Sequence, residues 1–422
     1  VKPAVRIHGI AAGGDGVGTL ADGRVVFVPR AAPGDLLELK QVVPSRRFAR
    51  ARIARVMEAS PDRVTPPCPH YQGDECGGCQ LQHLSAPAQR LARSRLVGDA
   101  LRRIGHLPVE DPDLIPSETE WEYRSRVTLA VAFPGRGSRE PRIGFHRFDR
   151  PSQTFELTRC PIARPEVNDL WTAFRDHRAK LPRNTERLIL RIDRTGGRHA
   201  IVKTTGTDSW PRARELGTSL ATAGCAVTLW WQPEGGAARV LFGSSDPYPA
   251  TVFEQIHPEM GDRVRAYAVG ELGDTGGCHV WDLYAGIGET TRRITPFGNR
   301  QSAVPTTVES VELDARAVRL AEERGPEDGI TRHAGRVEDL IDRLRPADRV
   351  IVNPPRTGLA SEVTDRLAAR PPNRLVYVSC DPATLARDVS RLATSFRLCR
   401  IQAFDLFPQT AHIETVATLE PV

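Results

Sequence analysis

No apolar run in this sequence is long enough to cross a bilayer, and the opening residues, Val1-Lys-Pro-Ala-Val-Arg-Ile-His8, lack the apolar stretch of a secretion signal. A helical membrane span is excluded, and a cytoplasmic protein is expected. There is no internal repeat and no long low-complexity tract, which removes solenoids and disordered chains from consideration. Eight cysteines among 422 residues are too few for a disulfide scaffold, so a close cluster of them in a reducing compartment points to metal. Nor is charge of one sign in great excess. With 58 Lys+Arg against 52 Asp+Glu the net charge is +6, and bulk charge alone says little about a polyanionic partner. The length exceeds what a single core can hold, and roughly two to four domains are expected.

What is present divides into three parts. Residues 1–58 alternate short apolar runs with glycine turns, the pattern of a small all-β barrel. Near its end Arg46, Arg47, Arg50, Arg52 and Arg55 surround Phe48, so that arginines at alternate strand positions can meet RNA phosphates while the ring stacks. A solvated edge strand would carry the same residues. Residues 59–250 form a β-rich central region, with strands expected at Val127–Val131, Arg187–Arg191 and Val227–Trp231. It opens on a turn-rich loop in which Cys68, Cys76 and Cys79 can converge, with Cys160 as the candidate fourth ligand. Four thiolates suit zinc or a [4Fe–4S] cluster, and spacing does not choose between them. From Pro87 to Leu107 an amphipathic helix is expected, with Leu91, Leu96, Val97, Leu101 and Ile104 inward, Arg90, Arg93, Arg95, Arg102 and Arg103 on its wet face, and its packing partner in the region that follows residue 250.

From residue 251 to 422 strands alternate with helices, as in a mostly parallel α/β sheet. The run Val280-Trp-Asp-Leu-Tyr-Ala-Gly-Ile-Gly-Glu-Thr-Thr291 is a strand followed by Gly286 and Gly288 at a tight turn, where backbone can approach a ligand closely. A second strand ends near Glu312, where a carboxylate can accept from the hydroxyls of a ribose. Thr291 stands where the third glycine of a dinucleotide fingerprint would fall, which weakens NAD and favours an adenosine cofactor without phosphates, S-adenosyl-L-methionine. A third strand runs into Asn353-Pro-Pro-Arg356, leaving the Asn353 amide free to donate to and accept from a base edge.

Leu375-Val-Tyr-Val is a short buried strand, and Leu385, Val389 and Leu392 recur at helical spacing after Pro382, with Asp381 as the N-cap. Cys380 therefore sits at the corner between strand and helix. The helix dipole and its free N–H groups are expected to lower the thiol pKa, as suits a nucleophile. Near the end of the chain Glu414 opens an otherwise apolar strand, where it would serve as a general base of raised pKa or as a surface residue on an edge.

Together these pieces resemble the class I, S-adenosyl-L-methionine-dependent RNA (uracil-5-)-methyltransferases of the iron–sulfur type that act on 23S rRNA or tRNA. The resemblance rests on the barrel-like start, whose glycines and arginines are similar to a TRAM module, on the four cysteines, and on Phe253-Glu-Gln255, Asp282-Leu-Tyr-Ala-Gly-Ile-Gly288, Asn353-Pro-Pro-Arg356, Ser379-Cys-Asp-Pro-Ala-Thr-Leu-Ala-Arg-Asp388 and His412-Ile-Glu-Thr-Val416. It implies a Rossmann-like methyltransferase domain at 251–422, with Cys380 as nucleophile and Glu414 as base. It further implies that Gln255, Tyr284, Gly286, Gly288, Glu289, Glu312 and Asn353 line the cofactor and uracil sites, and that Cys68, Cys76, Cys79 and Cys160 hold a [4Fe–4S] cluster, with zinc as the alternative. RNA is the implied partner, no membrane or obligate protein partner is called for, and a monomer is expected. Asn353 stands where the family usually has aspartate, Glu289 and His257 where it has asparagine, Ala285 where a cysteine is common, and the gap from Cys68 to Cys76 is longer than typical. A methyltransferase of the same fold acting on another substrate, or an RNA-binding homologue with impaired catalysis, are the rival readings.

Overall fold

The computed structural model describes residues 3–135, 140–244, 254–297, 304–325 and 327–422. The chain forms two compact units, one built from Val1–Asp62, Leu84–Ser117 and Glu259–Val422, the other from Arg63–His83 and Glu118–Pro258.

In the first unit, strands Ala4–Ile10, Gly16–Thr19, Val25–Val28, Phe48–Glu58 and Leu36–Pro44 follow one another around a closed barrel. Alternation along each strand sends Val5, Ile7, Val26, Val28, Leu37 and Leu39 to the inside, all 3% exposed or less. Gly16 is needed there because a Cβ on it would lie 2.6 Å from the Ala31 carbonyl oxygen.

The same unit holds an eight-stranded sheet, in the order Ile330–Ala334, Thr307–Glu312, His279–Leu283, Arg349–Val352, Arg374–Ser379, Glu414–Pro421, Phe396–Phe404 and Leu114–Ile115. The first five run parallel, and Glu414–Pro421 pairs antiparallel with Arg374–Ser379. Strands covered on both faces read as unbroken apolar runs, and every residue of His279–Leu283 is buried. Trp281, Leu283, Leu375 and Tyr377 point to one face, into a core shared with the helices Ser361–Ala369 and Pro382–Leu392. Their neighbours Val280, Val376 and Val378 point to the other, beneath the helix Pro258–Glu271.

The helix Ala86–Arg103 also belongs to this unit, where Val97 and Leu101 pack with Ala386, Ala403 and Ile413. Its inner face is not the stripe read from the sequence. Leu91 is 50% and Ile104 43% exposed, whereas Gln89 and Arg93 are buried at 3% and 1%. A hydrophobic pattern assigns an arginine to solvent, and here a buried carboxylate, Asp405, takes it inward at 2.7 Å.

In the second unit a six-stranded sheet runs Arg239–Phe242, Thr228–Gln232, Arg198–Thr204, Thr185–Ile192, Arg126–Ala132 and Arg142–Gly144. The helices Pro165–Arg175 and Ala213–Thr222 cover it, burying Trp171, Phe174, Leu216 and Leu220 against Leu188, Leu190 and Leu229. Among the described residues no helix is long and apolar enough to cross a membrane.

Candidate active site

The strand His279–Leu283 lies between Thr307–Glu312 and Arg349–Val352, so the winding of the parallel sheet reverses at its carboxyl end and leaves a crevice there. Register sets Leu283 level with both Val311 and Val352, and Val352 level with Tyr377. The residues that follow, Tyr284 to Gly288, Glu312, Asn353 and Cys380, consequently leave the sheet along one edge.

Tyr284, Gly286 and Gly288 all have positive φ, at 65°, 58° and 75°. A Cβ added to Gly286 would meet nothing within 4 Å, so the turn presents bare backbone to open space. The Glu312 carboxylate closes one side of that turn. One of its oxygens accepts from the Gly286 N–H and the other from the Asp314 N–H, each at 2.8 Å. Each oxygen retains a lone pair, enough for a pair of hydroxyls. Next to it Leu313 is 67% exposed, an apolar surface suited to a flat ring.

Beneath the turn, buried Asp282 accepts from the Thr291 hydroxyl at 2.5 Å. Burial, with a smaller push from Glu312, raises its carboxyl to about 7. Thr291 thus ties the turn to the strand end by a side-chain bond where a dinucleotide site would have a glycine. Glu289 pairs with Arg265 of the Pro258–Glu271 helix at 2.9 Å, which turns its charge toward that helix.

Asn353 continues the ladder by one bond, its N–H donating to Leu283 O at 3.1 Å, and Pro354 and Pro355 end it. The loop then folds onto the Pro382–Leu392 helix. Asp388 accepts from the Leu359 N–H and from the Tyr377 hydroxyl, both at 2.8 Å, and Arg387 donates to Thr357 O at 2.8 Å. Gly358, at φ 75°, fits only without a side chain, since its Cβ would lie 2.4 Å from Asp388 Oδ2. The clamped loop delivers Arg356, whose charge acts on both Cys380 and Glu414.

Cys380 stands between Ser379, the last strand residue, and Asp381, the N-cap. Asp381 accepts from the N–H groups of Ala383 and Thr384 at 2.9 and 3.0 Å. The helix end is therefore satisfied by a carboxylate rather than by sulfur, and the expected lowering of the thiol is corrected by the structure. Burial, and then the charge of Glu414, push Cys380 above its ordinary 9.0, against a downward pull from Arg356.

Glu414 reaches Cys380 through strand register. Ser379 pairs with Thr415 in the antiparallel ladder, and the Thr415 hydroxyl donates to Ser379 O at 3.1 Å, so the next step outward brings Cys380 and Glu414 to the same end. Glu414 is 1% exposed, and its Oε2 has no hydrogen-bond partner among the described residues. Burial raises its carboxyl to about 8, with Arg356 opposing. A buried carboxyl with an idle oxygen is poised to take a proton from a group that enters the crevice beside it.

Tyr284, Gly286, Gly288, Glu312, Asn353, Cys380 and Glu414 thus meet on one sheet edge. Arg356 and Asp282, which stand in motifs of the sequence without a role assigned to them there, and Leu313, which no sequence pattern singles out, join them. Gln255 belongs to the second unit, where its neighbours are firmly held: Glu254 pairs with Arg191 and Arg194, Ile256 O accepts from the Ser125 N–H at 2.8 Å, and His257 stacks on Tyr123 at 4.9 Å. Phe253, with which that motif opens, lies outside the described residues.

The four cysteines expected to hold a metal are all in the second unit and carry free thiols. Cys79 is partly buried, and desolvation together with Cys160, Cys76 and Cys68 raises its thiol well above the ordinary range, while Cys68 acts on Cys160 in the same sense. The sulfurs are thus electrostatic neighbours. Among the described residues no three His, Cys, Asp or Glu side chains are arranged to hold a metal ion. On the barrel, Arg46, Arg47, Arg50 and Arg55 are exposed, with Arg50 6.0 Å over Phe48 and Phe48 edge-on to Phe27 at 5.7 Å.

A family model described as tRNA (uracil-5-)-methyltransferase matches residues 314–422. An uncharacterized RNA methyltransferase of Gloeobacter violaceus is 34% identical, over 99% of this chain and 96% of its own. A 23S rRNA (uracil(1939)-C(5))-methyltransferase of Xanthomonas euvesicatoria is 31% identical, over 94% of this chain and 92% of its own. The crystal structure of the Pyrococcus abyssi tRNA (uracil-54, C5)-methyltransferase, in complex with S-adenosyl-L-homocysteine, shares the fold with a TM-score of 0.71 and 23% identity, over 98% of this chain and 99% of that one.

Proposed function

This chain belongs to the RNA (uracil-5-)-methyltransferases, enzymes dependent on S-adenosyl-L-methionine, and from that premise we propose that it methylates C5 of a uridine in ribosomal or transfer RNA through a temporary bond between Cys380 and C6 of the base. The observation that carries this reading is the buried carboxyl of Glu414, whose Oε2 has no hydrogen-bond partner among the described residues, on the same edge as Cys380, with Arg356 acting on both.

C5 of uracil is too weak a nucleophile to be alkylated unaided. The Cys380 thiolate adds to C6, forming the S–C6 bond and sending the C5=C6 pair toward O4 as an enolate. S-adenosyl-L-methionine, when bound, supplies an electrophilic methyl group for C5. Glu414 then takes the C5 proton, the C–H pair restores C5=C6, and the S–C6 bond breaks to release Cys380 as thiolate. Arg356 favours the thiolate at both ends of this sequence. Its pull matters because burial works against sulfur ionisation.

Glu312, Gly286 and Leu313 fit the adenosine half of the cofactor: a carboxylate for the ribose, bare backbone for close approach and an apolar face for the purine. Replacing Glu312 by alanine is expected to weaken S-adenosyl-L-methionine binding by about 10- to 100-fold, the worth of hydrogen bonds to a charged group, in isothermal titration. An unchanged affinity would remove Glu312 from the cofactor site.

We assign the barrel, as a TRAM-type module, to RNA backbone through Arg46, Arg47, Arg50 and Arg55, with Phe48 available for stacking. Cys68, Cys76, Cys79 and Cys160 would hold a [4Fe–4S] cluster, with zinc as the alternative, since their sulfurs are near enough to act on one another electrostatically. That group would stabilise its loop, and no step of methyl transfer runs through it. Because C6 is hidden in a stacked helix, the target uridine must be single-stranded or flipped, at a cost of a few kcal/mol.

The test is direct. Incubation with unmodified ribosomal or transfer RNA and methyl-labelled S-adenosyl-L-methionine should place the label in 5-methyluridine after digestion. Label recovered in another nucleoside, or in protein, would overturn the reading.

A further inference from the structure

Glu414 is held by more than its own strand. The segment that leads into it, Asp405 to Ile413, is gripped along its length by the Ala86–Arg103 helix, which is far away in sequence. Arg93 donates to Asp405 Oδ1 at 2.7 Å and to Phe407 O at 3.2 Å. One turn earlier, Gln89 and Gln409 bond reciprocally: Gln89 Nε2 donates to Gln409 Oε1 at 2.9 Å, and the Gln409 N–H donates to Gln89 Oε1 at 3.0 Å. Gln409 has φ 70°, a left-handed conformation unusual for a residue with a side chain. Ile413, adjacent to Glu414, packs on Val97 and Leu101 of the same helix.

All four polar groups are buried, at 3% exposure or less. An amide–amide pair and an ion pair inside a core stabilise little compared with apolar packing of the same shape, but they fix register, because each bond is satisfied in one alignment only. What they fix here is the path of the chain immediately before an idle carboxyl. A slip of that path would rotate Glu414 away from the ring while leaving Cys380, which is anchored by its own strand and helix cap, in place.

We propose that Gln89 and Arg93 are positioning residues for the proton-removing step, which rests on the reading of Glu414 as the base. Loosening the grip would spare thiolate addition and methyl transfer and would slow removal of the C5 proton. Covalent methylated RNA–protein complex would then build up, because the S–C6 bond cannot break until that proton leaves.

The experiment compares Gln89→Leu, Gln89→Glu, the paired Arg93→Met/Asp405→Asn, which strands no buried charge, and Glu414→Gln, each with uridine RNA and S-adenosyl-L-methionine. Complex stable to denaturing electrophoresis is scored, together with turnover and KM for RNA. For Gln89→Leu the expectation is a 10- to 100-fold fall in kcat, KM within about twofold of the parent and accumulated complex. Gln89→Glu, which still accepts from the Gln409 N–H, should recover part of the loss. Should Gln89→Leu and the paired variant, folded as judged by circular dichroism, lose complex formation and turnover in parallel, the helix is merely structural and the proposal fails. Failure of Glu414→Gln itself to accumulate complex would instead sink the assignment of the base.

Discussion

Replacing Cys380 by alanine is expected to lower 5-methyluridine formation by at least about 10⁴-fold, within reach of the roughly 10⁶-fold lost when a hydrolase loses its nucleophile. The size follows from chemistry rather than from fit: without a bond to C6 there is no enolate, and no other cysteine lies at this sheet edge among the described residues. Cofactor affinity should be unaffected, because the groups placed for adenosine stand on other strands. RNA carrying 5-fluorouridine gives the sharper measurement. Fluorine at C5 leaves no proton for Glu414 to take, so the parent enzyme should become trapped as a stable covalent complex in the presence of cofactor, and Cys380→Ala should give none. A complex that persists in the alanine variant would transfer the nucleophilic role to another group. Amine methylation needs no thiol adduct, so full activity in that variant would point to a different reaction altogether.

The parts of this site that are legible in the sequence are those fixed by neighbours in sequence. The glycine turn, the carboxylate at the end of the next strand and the Asp381 cap all depend on a few consecutive residues, and the structure has them where the pattern puts them. Features that the pattern misplaces depend on what comes from afar. A helix N-terminus beside Cys380 predicts an acidic thiol, but burial raises it, Asp381 occupies those N–H groups, and Glu414, brought in by antiparallel pairing from the last strand, adds a charge of the wrong sign. Arg356 is visible as a residue after two prolines. Its partners are not, because they appear only once Asp388 and Arg387 have folded the loop back. Helical periodicity puts Arg93 in solvent because no hydrophobic pattern can announce a buried carboxylate more than three hundred residues away. Each miss has the same cause: polar side chains inside this fold are paired over long sequence distances, and the periodicity of apolar residues carries no record of such pairs.

Replacing Glu414 by glutamine is expected to cut turnover by about 10²- to 10⁴-fold, the usual contribution of a positioned base, while leaving the 5-fluorouridine trap intact. Two pH measurements bear on the cause. In the parent enzyme kcat/KM should rise with pH through about 8, since the carboxyl is useful only once it has lost its proton, and Cys380, pushed above 9.0, must also ionise; the coupled pair titrates in steps that belong to both groups. In Glu414→Gln the charge that opposes sulfur ionisation is gone, so the midpoint for trapping should move to lower pH, though burial, the larger cause, keeps it elevated. Stability should respond with the opposite sign. A carboxyl raised from 4.5 to about 8 makes the folded state bind a proton more tightly than the unfolded chain, so its ionisation costs stability as pH climbs from 4.5 through 8. Glutamine cannot ionise, and the variant should therefore have the higher Tm at pH 9 despite having lost its activity. If instead the parent were the more stable at pH 9, the carboxyl would have to be solvated or paired, and a base kept strong by exclusion from water would no longer be available to carry the last step.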